Sequence, residues 1–580
     1  MKKSRIIMIV VLTLFVSSLY WTFLGAEIMH EIRHNRKLDE ITSMSKEAFY
    51  IASNKTVQRD EDSAIVAMQN LYDVKNYEIN FSFDIPEKML FGKTSITAEC
   101  LSDTLRNIYV NLVSDMKITN VIIENAEAEY VHKNDYIIVK LPSPSKGKEF
   151  VLTINYEGSP RNLGFDSFSF KEFDDQPAIY TLSEPTYAPS WWPCKDLTTD
   201  KANADIIITV PSQLTAVSNG TLKEVRSEKN GDRTFHWRSS YPITTYLVSL
   251  AIGKYDKWTD TYTSLDGAVS MPVEYYTYPT YTEKAKYDWK NTVEMIKFLS
   301  EKYGEYPFLE EKYGMAMFGW VGGAMEHQTI SSMGYTLVTG NGRFEDIVMH
   351  ELAHQWFGDA VSPGTWRDIW LNEGFATYSE ALWVEHLHGK EAYLSSMKRE
   401  DKGRFPTTVY NPEGFIFGAT VYSKGAWVLH MLRGVTGDDI FFRIIREYYE
   451  KYKYGNATTV DFINVCEEVS GMDLDQFFDQ WVYTGRGRPE YSYTWSTVNN
   501  GESNYELKIN LEQVQTDRDI YNVPLKISVK TENSEEEFTV QNDQRKQEFV
   551  FNTTSKPLQV FIDKEGWILK SIKERKEVQN

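Results

Sequence analysis

The chain is short of cysteine, histidine and positive charge, and each shortage excludes something. Three cysteines, Cys100, Cys194 and Cys466, occur in 580 residues. Odd in number and far apart, they build neither a disulfide framework nor a cysteine zinc site, and they read as buried apolar thiols. Lys and Arg total 62 against 82 Asp and Glu, a formal net charge of −20. Phosphate binding needs a basic face, so nucleic acid is excluded as a partner. The acidic surface serves solubility. Internal repeats and long low-complexity segments are absent. There are only 10 histidines, so two at a ligand spacing carry weight.

What is present is ordinary globular composition, 42% hydrophobic and 25% charged. The length exceeds one hydrophobic core and implies two to four domains. After "MKKSR", one stretch of about 20 residues, "IIMIVVLTLFVSSLYWTFLGA", carries no charge and is long enough to span a bilayer. Residues 1–26 are therefore read as a signal anchor, with a cleaved signal peptide as the alternative. The expected location is membrane-anchored through this single segment with the catalytic part extracytoplasmic, or secreted after cleavage. Residues 27–65 read as a stalk or linker.

Period-two alternation begins at "YEINFSFDI", with Tyr77, Ile79, Phe81, Phe83 and Ile85 on one face. It recurs in "FVLTINY", with Phe150, Leu152, Ile154 and Tyr156. Residues 66–257 are expected to form an N-terminal β-sandwich-like domain. From about residue 283 helical patterns dominate, beginning with one helix over "EKAKYDWKNTVEMIKFLSEKYG" that ends at Gly304. Residues 258–488 are expected to be a mainly helical catalytic domain. "GRGRP" then punctuates the chain. The short alternating runs "YELKINL", "PLKISV", "EFVFN", "LQVFID" and "WILKSI" make 489–580 a small β-sandwich. The fold class is multidomain α+β.

The chemistry concentrates in "MHELAHQWFGD". His350 and His354, four apart, fall about 40° apart on one helix face, with Glu351 near enough to touch a water on a shared metal. Val348, Leu352 and Trp356 make the opposite apolar stripe, and Gly358 is a natural stop. This is H-E-x-x-H: two imidazole ligands for Zn²⁺ and a glutamate as general base. Glu373, 19 positions after His354 on a second helical pattern, supplies a third ligand. Two histidines and a carboxylate leave the fourth position open for water, as in a catalytic zinc site. One Zn²⁺ per chain is expected.

With 18 residues between His354 and the glutamate of "NEGFA", the pattern resembles the M1 family of zinc aminopeptidases. "GGAMEH" resembles that family's exopeptidase motif G-x-M-E-N, "VYSKGAWVL" the segment with its catalytic tyrosine, and "EPTYAPSWWPCKD" an N-terminal-domain segment that contacts the substrate amine. The similarity runs over roughly residues 70 to 575. It implies a thermolysin-like catalytic domain in a hydrolase, a metalloprotease that removes the first residue from peptides with a free N-terminal amine. It implies Glu351 as base, Tyr422 as oxyanion stabiliser, and Glu326 with Glu184 as countercharges for the α-ammonium. Gly323, Ala324, Met325 and His327 are implied to lie along the bound peptide. The alternatives are a related-fold zinc endopeptidase, which lacks the amine-binding carboxylates, and a catalytically silent peptide-binding scaffold.

Two departures stand out. His327 replaces the family's asparagine, and an ordinary imidazole titrates near pH 6.5. Only about 90 residues follow Pro489, and they read as β, where many members carry a large helical domain. A short form with a more open cleft, admitting longer peptides, is expected. Glu380, one helical face on from Glu373, is placed to orient a ligand histidine.

Overall fold

A computed structural model describes residues 64–173, 175–501 and 504–578. The apolar N-terminal stretch and most of the expected stalk lie outside the described residues. Among the described residues, no helix is long and apolar enough to cross a membrane.

The alternating run around Ile79 forms the strand Tyr72–Asp84, at the centre of an eight-stranded sheet. It pairs antiparallel with Met89–Cys100 and parallel with Ala202–Val210, in a register that sets Ile79 against Thr94 and Ile206. Tyr77, Ile79 and Phe81 point into the core, with Phe150, Leu152, Ile154 and Tyr156 from the strand Glu149–Gly158. Phe83 is only half-buried, and Ile85 falls past the end of the strand. A four-stranded and a three-stranded sheet complete this region. Cys100, Cys194 and Cys466 are free and buried, as their spacing indicated.

The catalytic region carries a sheet that helical periodicity did not reveal. Its strands are β1 (Asp256–Thr263), β2 (Ser270–Thr277), β3 (Tyr313–Phe318), β4 (Ala324–Met325) and β5 (Ser331–Gly334), in the order β1-β2-β3-β5-β4. β3 is buried at every residue, so it shows a continuous apolar run instead of alternation. β4 is two residues long, antiparallel to β5, and forms the sheet's free edge. The single helix expected up to Gly304 is two, Thr282–Asp288 and α1 (Thr292–Tyr303), because the chain leaves helical geometry between Trp289 and Asn291. Gly304, at φ 116°, does end the second.

Helices α2 (Glu345–Ala353), α3 (Trp370–His388) and α4 (Gly425–Thr436) pack beside this sheet. α3 and α4 cross at bare backbone. A Cβ on Gly374 would stand 2.9 Å from the carbonyl carbon of Gly425. Glycine at both positions thus lets the residues just before them, Glu373 and Tyr422–Lys424, approach one another.

Residues 490–577 form a four-stranded and a three-stranded sheet packed as a sandwich. "WILKSI" is not a strand throughout: the last strand begins at Ser571. The sandwich shares one continuous hydrophobic core with the catalytic helices. Its Trp567 stacks on His430 of α4 at 4.7 Å between ring centres. The Tyr393 hydroxyl donates to His430 Nδ1 at 2.6 Å, and His430 Nε2–H donates to the Gly566 carbonyl at 3.1 Å. Burial pushes this imidazole down to about 4, although the Gly566 carbonyl favours its charge. In the unfolded chain it titrates near 6.5. Between those values the unfolded state binds the extra proton, so stability is lost as pH falls from about 6.5 to 4. The expected loss from this group is about 2–3 kcal/mol. Thermal unfolding of wild type and His430→Gln at pH 7 and pH 4.5 checks this: the variant should lose less stability on acidification.

Candidate active site

α2 opens with Glu345 and Asp346, acids that suit the positive end of a helix, and buries Val348, Met349 and Leu352 against the sheet. Its polar face holds His350 and Glu351. His354 sits one residue past the helix end, not within it, but stays in helical geometry at φ −58°, so the four-residue spacing still puts both rings on one side. The rings stand 4.8 Å apart between centres. From the first turn of α3, Glu373 Oε2 lies 3.3 Å from His350 Nε2 and 3.5 Å from His354 Nε2. All three residues are buried.

The far side of each imidazole decides what faces inward. His350 Nδ1 meets Glu380 Oε1 at 2.7 Å, and His354 Nδ1 meets the Phe357 carbonyl at 3.1 Å. Each Nδ1 therefore carries a proton, and in the neutral, ligating form of the rings both Nε2 lone pairs are aimed at the Glu373 carboxylate. Lone pairs facing a carboxylate at this separation repel unless a cation lies between them. Ligands held at 2.0–2.2 Å around a tetrahedral ion stand about 3.3–3.5 Å apart. The donor set and its spacing fit Zn²⁺. Burial alone would raise Glu373, yet the two histidines hold it at about 2, so it stays an anion. Glu380 plays the orienting part expected of it. Glu380→Gln should weaken zinc affinity 10- to 100-fold, read by competition with a metallochromic chelator.

Glu351 is buried beside the ligands, and burial pushes it up to about 8 while His350 pulls it down. Tyr422 lies in a π-helical turn, Thr420–Lys424, ahead of α4. Its half-buried ring stacks on His350 at 5.9 Å and 17°. Burial, then Glu373, holds its phenol far above the usual range, so it remains a donor. The turn is tied on both sides: Ser423 Oγ donates to Glu400 Oε2 at 2.7 Å, and the buried Lys424 Nζ to the Gly485 carbonyl at 2.6 Å.

Glu326 follows β4, and Glu184 arrives from the N-terminal domain; both are buried. After burial itself, Glu326 is the group that raises Glu184 most. One carboxylate oxygen on each, Oε1 in both cases, has no hydrogen-bond partner. Two adjacent buried carboxylates with idle oxygens are short of one positive charge. Gly323, at φ 153°, and Ala324 are half-buried where the chain enters β4, and Met325 is buried.

His327 corrects an expectation. It is fully buried, with Nδ1 2.8 Å from Ser332 Oγ, and burial pushes it down to about 3. It does not titrate near pH 6.5 and stays neutral across the working range. Sequence reasoning missed Gln355, which accepts from the Thr329 backbone N–H at 2.8 Å and donates to the Glu326 carbonyl at 3.4 Å. It couples the helix of zinc ligands to the segment holding Glu326. The only cue was its place directly after His354.

Two imidazoles and one carboxylate around a single point, with a second acid alongside and a phenol opposite, constitute the centre of a metallohydrolase. The family model for the peptidase M1 N-terminal domain matches residues 73–247, and that for the peptidase family M1 domain matches residues 287–481. The chain belongs to peptidase family M1. It is 26% identical over 524 residues to a probable aminopeptidase 2 of Sulfurisphaera tokodaii, covering 86% of this chain and 63% of that protein. It is 28% identical over 380 residues to human glutamyl aminopeptidase, covering 60% and 39%. An M1 zinc metallopeptidase structure from Deinococcus radiodurans superposes with a TM-score of 0.64 at 26% identity, over 72% of this chain and 94% of that one. Legionella pneumophila aminopeptidase A gives 0.75 at 19%, over 87% and 60%, a likeness of fold. The chain thus spans less than two thirds of the curated relatives it matches.

Proposed function

We propose that the protein is a zinc-dependent aminopeptidase that hydrolyses the first peptide bond of substrates with a free N-terminal amine. The observation that carries this is the buried Glu184–Glu326 pair beside the His350, His354 and Glu373 triad. An endopeptidase has no use for two uncompensated acids at one end of its cleft. A silent scaffold has no reason to keep ligands, base and phenol together. A Deinococcus radiodurans M1 zinc metallopeptidase variant, 26% identical to this chain, has been crystallised bound to a Tyr-Ser-Ala substrate.

Bound by the triad, Zn²⁺ would supply Lewis acidity that brings a water's pKa towards about 7 and polarises the scissile carbonyl. The substrate ammonium ion-pairs with Glu326 and Glu184, which fixes the first residue at the end of the cleft. The free edge of β4 accepts the peptide backbone as an added strand. Glu351 takes the proton of the attacking water and returns it to the departing amine. Tyr422 donates its hydroxyl hydrogen to the oxyanion as it forms. The amine-binding carboxylates measure one residue from the reacting centre, so cleavage removes a single residue whatever the sequence beyond it.

The test compares an amino acyl anilide with its N-acetylated form, with and without chelator. Cleavage of the free amine alone, lost to chelator, is expected. Cleavage of the blocked form points to an endopeptidase, and cleavage of neither to a scaffold. The uncharged N-terminal stretch supports anchoring of the active part on the far side of a membrane; retention in the membrane fraction after a high-salt wash, set against release into the medium, checks this.

A further inference from the structure

Three segments bring polar groups to the site, and each carries an aromatic residue nearby. Tyr187 follows Glu184, Trp320 precedes β4, and Phe417 precedes Tyr422. All three rings meet a fourth, Phe165, from a loop of the N-terminal domain. Centroid distances from Phe165 are 5.9 Å to Tyr187, 6.2 Å to Trp320 and 6.1 Å to Phe417, each edge to face. Rings at this separation and angle attract beyond simple area burial.

Phe165 is held in an unusual way. It has φ 50° and the next residue, Asp166, φ 57°. Two successive non-glycine residues in the left-handed region are costly, and such strain clusters at ligand clamps. Phe165 and Trp320 pack against the core but are only half-buried, so part of each side chain stays open to solvent. A Cβ on Gly322 would strike the Trp320 ring at 2.4 Å, so glycine there lets the indole lie against the chain just ahead of β4. The adjacent charge in the chain, Asp166, is spent: it accepts from the Tyr180 hydroxyl at 3.0 Å and pairs with Lys171 at 3.3 Å.

We propose that Phe165, Trp320 and Phe417 form the wall against which the first side chain of the substrate packs. The protein is then selective for peptides that begin with a large apolar residue, such as Phe, Tyr, Leu or Met. An acidic first residue would lose hydration against apolar rings, and a small one would leave the wall wet. This rests on the aminopeptidase reading and adds the substrate class. The pocket begins where the ammonium is held, since Tyr187 and Glu184 share one turn, closed by the Tyr187 N–H to the Ser183 carbonyl at 2.7 Å.

The test is kcat/KM for phenylalanyl, leucyl, alanyl and glutamyl anilides on the zinc-loaded full chain, for wild type, Phe165→Ala and Phe165→Leu. Wild type should favour phenylalanyl over alanyl and glutamyl by roughly 10- to 100-fold, the value of burying one large apolar side chain. Phe165→Ala should shrink the phenylalanyl-to-alanyl ratio about tenfold, and Phe165→Leu should restore part of it. A merely structural role would lower both rates together and leave the ratio unchanged, which overturns the proposal. So would a wild type that cleaves glutamyl or alanyl as fast as phenylalanyl. A wild type inactive on every free-amine anilide would instead overturn the aminopeptidase reading, and this proposal with it.

Discussion

Replacing Glu351 by glutamine should reduce turnover by about 10²- to 10⁴-fold, the range that positioned proton transfer supplies. Glutamine keeps the shape and can still hydrogen-bond, but it cannot take the proton from the attacking water. The glutamates around it are placed for other parts. Glu373 is committed to His350 and His354, and Glu380 holds His350 Nδ1 at 2.7 Å. In the proposed function Glu326 and Glu184 are taken up by the substrate ammonium. Because Glu351 is not a ligand, zinc content should stay at one per chain, as metal analysis would read. An activity loss below tenfold with zinc retained would remove Glu351 from the role of base.

The second large effect concerns the amine. Truncating one member of a buried, charge-paired contact costs about 3–5 kcal/mol, roughly 10²- to 4 × 10³-fold in kcat/KM. Glu326→Gln is expected to lose that much on a free-amine anilide. The Glu184→Gln, Glu326→Gln double variant should lose less than the sum of the single effects, since both acids serve one charge. The diagnostic quantity is the ratio of free-amine to N-acetyl cleavage. It should collapse towards unity in the double variant while zinc stays bound. A double variant that still rejects the blocked substrate as strongly as wild type would show that the ammonium is read elsewhere.

The parts of the site legible in the chain are those in which chemistry repeats at a local period. His350, Glu351 and His354 lie within little more than one turn, so helix geometry alone places them together, and the spacing survives even though α2 stops at Ala353. Glu380 was legible for the same reason, standing two turns along α3 from Glu373. The strands of the first domain were legible because one face of each is wet, which writes alternation into the residues. β3 was not, since both its faces are buried and the alternation disappears. β4 was not, because two residues cannot carry a period. The break before α1 escaped notice because "DWKN" contains neither glycine nor proline.

The residues of this chain, taken in order, already specify a zinc-binding helix, its third ligand and its base. Folding alone settles that His327 is sealed from solvent, that Glu184 and Glu326 are buried and coupled to one another, and that three rings from separate segments converge on Phe165. The physical reason is range. Hydrogen-bonded periods are set by neighbours a few positions apart, whereas desolvation, charge coupling and ring packing depend on which distant segments share a space.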